Sequence, residues 1–290
     1  MSEQVCKADM GGDRAAVVDT YGYPVETTGN AVLDILEHRS STRAFARDDN
    51  DRPVAVTDEQ RAAILHAASR APSAGAMMMY SIVSIREQTM LDRLADLCDH
   101  QPMIAKAPWA LIFVVDYAKW IDLFEHVGCF EPEFVERTGK SPRRAPGLGD
   151  FAIAAQDAVI AAQNAVVAAE ALGLGSCYIG DIVENAEEVA ELLDLPAYTV
   201  PLSMLIIGTP RKERPAIAHP VVNLVHEERC RRADAATMDA QVAEMDAMFR
   251  PHAREVGERV VDIYTRKHTS PFMAEMSRSM EWWFKNWLGK

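Results

Sequence analysis

Residues 149–181 read GDFAIAAQDAVIAAQNAVVAAEALGLGSCYIGD, and the fold turns on how this stretch must pack. From Phe151 to Leu172 it predicts one long helix, whose few polar residues, Gln156/Asp157, Gln163/Asn164 and Glu170, recur every seven positions. A surface helix carries a broad polar face, whereas this one carries a narrow stripe. Most of its circumference is therefore expected to meet protein, with a second subunit as one candidate neighbour. The many alanines fit, because small side chains let backbones approach closely. A membrane span is the rival, and Asp157, Glu170 and three amides argue against it, being costly in lipid where alanine offers little transfer energy. Gly173 stands where a left-handed C-cap residue ends a helix. Ser176 to Gly180 then suits a short buried strand. A core helix that delivers a Gly-rich turn and a strand end can present bare backbone N–H groups to a ligand.

Working outward, 290 residues at 49% hydrophobic can bury one large core, or one core with a smaller lobe. A net charge of −13 argues against a general nucleic-acid or membrane-surface role, since either needs a basic face. The start of the chain lacks the basic-then-apolar pattern of a secretion signal. Cys6, Cys98, Cys129, Cys177 and Cys230 are odd in number and widely spaced, with no CxxC pair. That pattern suits a reducing cytoplasm better than a disulfide scaffold or zinc site.

Residues 1–27 read as a mostly polar extension. Asn30 is placed to cap a short helix over Ala31–His38. It runs into Arg39-Ser40-Ser41-Thr42-Arg43-Ala44-Phe45, where two guanidinium forks and three hydroxyls suit a phosphate. On these residues alone, a solvated basic helix end is the simpler reading. Thr57 to Gln60 is a capping-box pattern opening a helix through Arg70, with Ile64, Leu65 and Ala68 inward. Tyr80–Ile85 predicts a strand, Gln88–Asp99 a helix, and Trp109–Val115 a buried central strand. Residues 117–149 carry Tyr117, Trp120, Phe124, Phe130 and Phe134, then a basic turn from Lys140 to Arg144. Such a long connection suits either a lid or a surface excursion. Asn185 and Glu188 read as caps of a helix to Leu193, and Leu202–Ile207 as a strand closed by Gly208. Beyond Pro210 the chain turns polar, and Met238–Phe249 and Phe272–Trp287 predict helices of an arm reaching beyond the core. Their tryptophans, Trp282, Trp283 and Trp287, suit packing. The sum is an α+β or α/β sandwich with an appended arm.

Side-chain catalysis finds little support. His226-Glu227-Glu228-Arg229-Cys230 lacks the second histidine of a zinc-protease helix and reads as a solvated helix start. No GxSxG, P-loop or GxGxxG stands in its required context. Cys177, with no cation adjacent in sequence, reads as a buried structural thiol. A phosphate-suited motif without catalytic side chains points to a cofactor that carries the chemistry.

Five segments in order resemble the FMN-dependent nitroreductase family: Arg39 to Phe45; Ala71-Pro72-Ser73-Ala74-Gly75; Ala107-Pro108; Gln163-Asn164 through Gly173 to Gly180; and Leu193 to Pro196 before Gly208-Thr209-Pro210. The resemblance covers about residues 31–226 and implies an α+β sandwich, with a central sheet flanked by helices and a long buried dimer-core helix. It divides the chain into an extension (1–27), an FMN-binding domain (28–226) and a helical C-terminal arm (227–290). It further implies a homodimer with FMN in the interface, NAD(P)H as co-substrate, and a nitroaromatic, quinone or similar small-molecule acceptor in a ping-pong cycle. Carried over by position, Arg39, Ser40, Ser41 and Arg43 match phosphate and ribityl contacts. Pro72, Ser73 and Ala74, with Ala76 beside them, match the segment along the flavin ring, contributed by the partner subunit. Ile179 and Gly180 match backbone at the flavin N5 edge.

The chain departs from the pattern where an Asn and a Gln-Pro-Trp-like run are usual: here stand Ala76, Met77, Met78, Met79 and Tyr80. The methionines, with Phe124, are expected to line the acceptor pocket as a soft apolar wall. Asp181 replaces a small residue, and the family's Lys-x-Arg near the tail is Ala216-Ile217-Ala218 here, with Arg211, Lys212 or Arg214 as substitutes. A flavin or small-ligand carrier of the same fold is the alternative, separated from an enzyme by whether NAD(P)H is oxidised.

Overall fold

The computed structural model describes residues 29–140, 144–212, 222–252 and 254–289. The extension at 1–27, most of the basic turn after Lys140, Arg214 and Ala216–Ala218 lie outside the described residues.

In chain order the elements are α1 (Ala31–His38), α2 (Asp58–Ser69), β1 (Tyr80–Ile85), α3 (Gln88–Leu97), α4 (Pro102–Ala105), β2 (Trp109–Asp116), α5 (Ala118–His126), α6 (Pro132–Thr138), α7 (Leu148–Ala171), β3 (Gly175–Ile179), α8 (Ala186–Leu192), β4 (Thr199–Gly208), α9 (Ala235–Phe249), α10 (Glu258–Ile263) and α11 (Pro271–Trp287). The strands form one sheet in the order β1-β2-β4-β3, every neighbouring pair antiparallel. That settles α+β over α/β. Strand β2 lies in the interior of the sheet with Trp109 to Val115 all buried, because both sheet faces are covered. Its continuous apolar run, usual in parallel sheets, here marks an antiparallel strand packed on both sides.

Helix α7 runs along the sheet against β2 and β4, with α2 beside it. Ala154, Ala158, Ala161, Ala162, Ala165 and Ala169 are all buried, so the alanines do make the close seam. The helix ends in a Schellman motif: Gly173 at φ 73° donates to the Glu170 carbonyl, and the Leu174 N–H reaches back to Ala169. Of its polar stripe only Gln156 is exposed. Asp157 is buried, and the Asn164 side-chain amide donates to the Ala67 carbonyl of α2 at 3.1 Å. The apolar Ile153, Val159 and Ile160 are exposed instead, as are Val32, Leu33 and Leu36 of α1. Among the described residues α7 is the one helix long and apolar enough to cross a membrane by length and composition, and its buried alanine face packs on the sheet.

The 117–149 connection holds α5 and α6. Three expectations change. Asn185 does not cap α8 with its side chain; it sits at φ 47° and donates its amide to the Leu97 carbonyl at 2.7 Å. His226–Cys230 forms no helix, and α9 starts only at Ala235, where the Asp234 carboxylate accepts from the Thr237 N–H. Finally, α11 does not reach beyond the core. Its Trp283 and Trp287 are fully buried, and their indole N–H groups donate to the carbonyls of Val183 (2.9 Å) and Gly147 (3.0 Å). Trp287 also meets Phe151 and Tyr117 edge-on. Each buried indole removes about 150–250 Å² of surface from water while its polar edge stays paired.

Candidate functional site

The Arg39–Phe45 motif leaves α1 in extended backbone and is stitched to two strands. Its Thr42 N–H donates to the Ser176 carbonyl of β3 at 2.8 Å, the Ala46 N–H donates to Thr209, and the Arg211 N–H donates to Ala44. Gly208 locks the junction. A Cβ there would lie 2.7 Å from the Pro108 ring and 2.8 Å from the Phe45 ring. Three of the recognised segments therefore meet at one residue that has room only for hydrogen.

This packing brings Arg39, Ser41 and Arg43 to the β3 residue Cys177. Two cations thus lie near a thiol that the sequence reading treated as isolated from charge. Burial nevertheless pushes its pKa up, and Arg43, Ser41 and Arg39 only partly offset that, which disfavours the thiolate. The Tyr178 phenol is likewise pushed up to about 12 by burial, against the pull of Arg39. Ser40 and Thr42 are buried, Arg39 and Ser41 are half-buried, and Arg43 is exposed. Arg39 Nε and Thr42 Oγ1 are buried polar atoms without a hydrogen-bond partner among the described residues. Native structures rarely strand such groups, and an anionic ligand at this spot would satisfy them.

The Pro72–Met79 segment is held more tightly than its sequence suggests. Ala74–Ala76 makes a single 3-10 turn, and Gly75, Ala76 and Met78 have φ of 58°, 55° and 48°. For Ala76 and Met78 this left-handed backbone costs about 1–2 kcal/mol each. Such strain persists where the surroundings over-determine the chain. They do so here: the Met78 N–H donates to Ser73 Oγ at 2.9 Å and the Trp120 indole to the Met77 carbonyl at 2.9 Å. Asp157 of α7 accepts from the Ala74 N–H (3.0 Å) and the Met79 N–H (3.4 Å).

The three methionines separate. Met79 is 3% exposed and belongs to the core, so the expectation that it lines a pocket is corrected: its backbone is drawn inward by Asp157 at the start of β1. Met78 is 37% exposed, and Met77 is half-buried beneath Trp120. Phe124 lies between Trp120, tilted against it, and Phe130, edge-on to it, at 5.6 and 6.3 Å between ring centroids, and Trp120 links it to Met77. Pro72, Ala74 and Ala76 are exposed, and Ser73 is half-buried.

At the end of β3 the Ile179 side chain is buried and Gly180 is exposed, with open space where a Cβ would point. A flat ligand can approach that backbone without meeting a side chain. Asp181 points elsewhere and accepts from Gln101 Nε2 at 2.7 Å. Behind it Glu184 is 4% exposed, and burial, reinforced by Asp181, Asp99 and Glu275, pushes its pKa up to about 7. Sequence reasoning passed over Asp157 and Glu184. A carboxylate on an otherwise apolar helix was the available signal for the first, and a non-local acidic cluster left none for the second.

Comparison with known proteins follows the same geometry. Residues 36–209 match the model of the Nitroreductase family. The chain is similar to the FMN reductase [NAD(P)H] of Bacillus subtilis, 32% identical over 215 residues, covering 73% of this chain and 79% of that protein. It is similar also to the oxygen-insensitive NADPH nitroreductase of Salmonella typhimurium, 32% identical over 218 residues, covering 73% and 81%. Among solved structures, the NADPH:FMN oxidoreductase of Vibrio harveyi complexed with NAD+ superimposes with a TM-score of 0.66 at 25% identity, over 86% of this chain and 97% of that one. With its phosphate-suited motif, strained loop and open strand end in place, the chain belongs to the nitroreductase family.

Proposed function

We propose that this protein is a homodimeric, cytoplasmic FMN oxidoreductase that passes electrons from NAD(P)H to a nitroaromatic, quinone or similar acceptor. Its relatives' names share reduction driven by NADPH or NAD(P)H, and two of the three name a flavin. The chain fits the cofactor. The observation that carries the reading is the pair of orphaned polar atoms, Arg39 Nε and Thr42 Oγ1, beside Arg43 at the edge of β3. A phosphate monoester supplies the acceptors such groups lack. On this reading Arg39, Ser40, Ser41 and Arg43 hold the phosphate and ribityl chain. Pro72, Ser73, Ala74 and Ala76 lie along the ring, and the Ile179–Gly180 backbone faces its reactive edge.

The hydride chemistry, in two alternating half-reactions, is what FMN supplies when bound. The chain's part is binding, orientation and exclusion of water. Backbone N–H groups at Gly180 are suited to stabilise negative charge without a titrating side chain. Met77, Met78 and Phe124 offer an apolar wall to a flat acceptor. The dimer reading is supported by the exposed apolar faces of α7 (Ile153, Val159, Ile160) and α1 (Val32, Leu33, Leu36), since large apolar patches mark interaction surfaces.

The test begins with the absorption spectrum. Purified protein, or apoprotein reconstituted with FMN, should be yellow with one FMN per chain and should oxidise NAD(P)H when a quinone is supplied. Protein that never takes up FMN refutes the cofactor site, and bound FMN without NAD(P)H oxidation refutes the enzyme. A compact monomer by sedimentation at micromolar concentration refutes the dimer.

A further inference from the structure

Asp157 is a buried carboxylate on the central helix, and its hydrogen bonds do not serve that helix. Its Oδ1 accepts from the Ala74 N–H and its Oδ2 from the Met79 N–H, so one side chain grips both ends of a six-residue loop. Between those points lie the left-handed residues Gly75, Ala76 and Met78. A second element faces the same group. Lys119 of α5 donates to the Tyr80 carbonyl at 2.5 Å, near enough to Asp157 and Asp116 for both charges to bear on it. A neutral isostere would answer the packing but not this arrangement. Asparagine can accept from one N–H and must then turn an NH2 donor toward the other. Burying an unpaired charge is costly, so a carboxylate kept at this depth needs its partners in place.

We propose that Asp157 is a positioning residue for the oxidoreductase, fixing the strained Ser73–Met79 backbone in the shape that the flavin ring meets. The inference rests on the reading that Pro72–Ala76 lies along the ring, and it adds what sets the shape of that segment. Within the loop the Ala76 N–H donates to the Ser73 carbonyl and the Met77 N–H to the Ala74 carbonyl, closing one 3-10 turn, while Asp157 of α7 ties the two ends of the loop to the core. Ser73 Oγ and the Trp120 indole supplement the clamp from within the loop and from α5. Because α7 also reaches β3 through Gln163, whose Oε1 accepts from the Tyr178 hydroxyl at 3.3 Å, one rigid helix holds both the loop and the strand in register.

The test compares Asp157→Asn and Asp157→Glu with the wild type, as full-length protein in apo and FMN-bound forms. Hydrogen exchange of the Ala74 and Met79 amides reads the clamp, fluorescence titration reads FMN affinity, and circular dichroism with thermal melting checks the fold. Asp157→Asn should remain folded, exchange both amides at least ten-fold faster and bind FMN at least ten-fold more weakly. Asp157→Glu, which keeps the charge but overreaches, should shift both readouts the same way and serves where the amide variant folds poorly. Unchanged exchange would mean there is no clamp. Faster exchange with FMN affinity within two-fold of wild type would mean the clamp is merely structural, and either outcome overturns the proposal. Ala74→Glu separates the underlying reading: its exposed, bulky charge should abolish FMN binding if the loop borders the ring. If that variant binds FMN normally, the site assignment fails independently of Asp157.

Discussion

Replacing Gly208 with alanine tests the idea that the phosphate motif is held in place by packing at the end of β4. The added methyl would stand 2.7 Å from two Pro108 ring carbons and 2.8 Å from a Phe45 ring carbon, well inside the 3.4 Å where ordinary contact begins. Neither neighbour is a flexible chain end. Pro108 precedes the buried β2, and Phe45 is itself buried and bridged to Pro210. Relief must come from moving the Arg39–Phe45 segment off the sheet. Overpacking of this kind costs about 1–3 kcal/mol. At about 2–4 °C per kcal/mol for a domain of this order of size, the melting temperature should fall by roughly 5 °C. Displacing Arg39 and Arg43 should also forfeit about half of one charge-assisted contact, weakening FMN roughly four- to twelve-fold. Differential scanning calorimetry of the apoprotein and fluorescence titration with FMN measure the two effects. An unchanged melting temperature would refute the steric argument. A lower melting temperature with unchanged FMN affinity would refute the link between this junction and the cofactor.

Arg43→Ala should weaken FMN binding roughly ten- to a hundred-fold, because a charge-assisted contact is worth about 1.5–3 kcal/mol; equilibrium dialysis checks it, and no effect from either Arg43 or Arg39 would mean the phosphate lies elsewhere. Met78→Gln should lower kcat/KM for an apolar quinone by about 1–2 kcal/mol while NAD(P)H still reduces the flavin at the wild-type rate. Stopped-flow measurement of each half-reaction decides it, and equal losses in both would assign Met78 to the fold or cofactor. For Glu184 the folded pKa is raised to about 7 from the ordinary 4.5, so its stabilising contribution is full below about 4.5 and is lost as pH rises to about 7. Melting temperatures from pH 5 to 8 should therefore fall in the wild type relative to Glu184→Gln, and parallel curves would show that the carboxyl titrates normally.

Much of the fold was legible because it is local. Asn30 caps α1 by accepting from Val32 and Leu33, and Thr57 and Gln60 form the reciprocal box at α2. Strand β1 spans the residues its composition marks, and Gly173 closes α7 as its conformational freedom requires. The sheet order was not legible, since β2 pairs with β4 across some ninety residues and apolar strands carry no address. Asn185 misled for a related reason: a capping residue type was used for a left-handed turn and a long-range bond to Leu97. At the site, the sequence marks Arg39–Arg43 and Ile179–Gly180 as candidates. It does not mark what holds them. Periodicity put Asp157 on a stripe with Gln163 and Asn164, but only the folded chain shows that the stripe faces a loop, a strand and α2.

The two buried indoles of α11 have a kinetic side. Trp283 closes onto Val183 across 100 residues and Trp287 onto Gly147 across 140. Contacts of such separation must meet a large loop-closure entropy before they return any stabilisation, which makes them slow to form. Val183 ends the short turn that begins at Gly180, and Gly147 caps the start of α7, so both ends of the strand-bearing unit wait on that closure. Cofactor uptake during refolding is therefore expected to follow the docking of the C-terminal helix, with tryptophan burial recovering before the yellow colour.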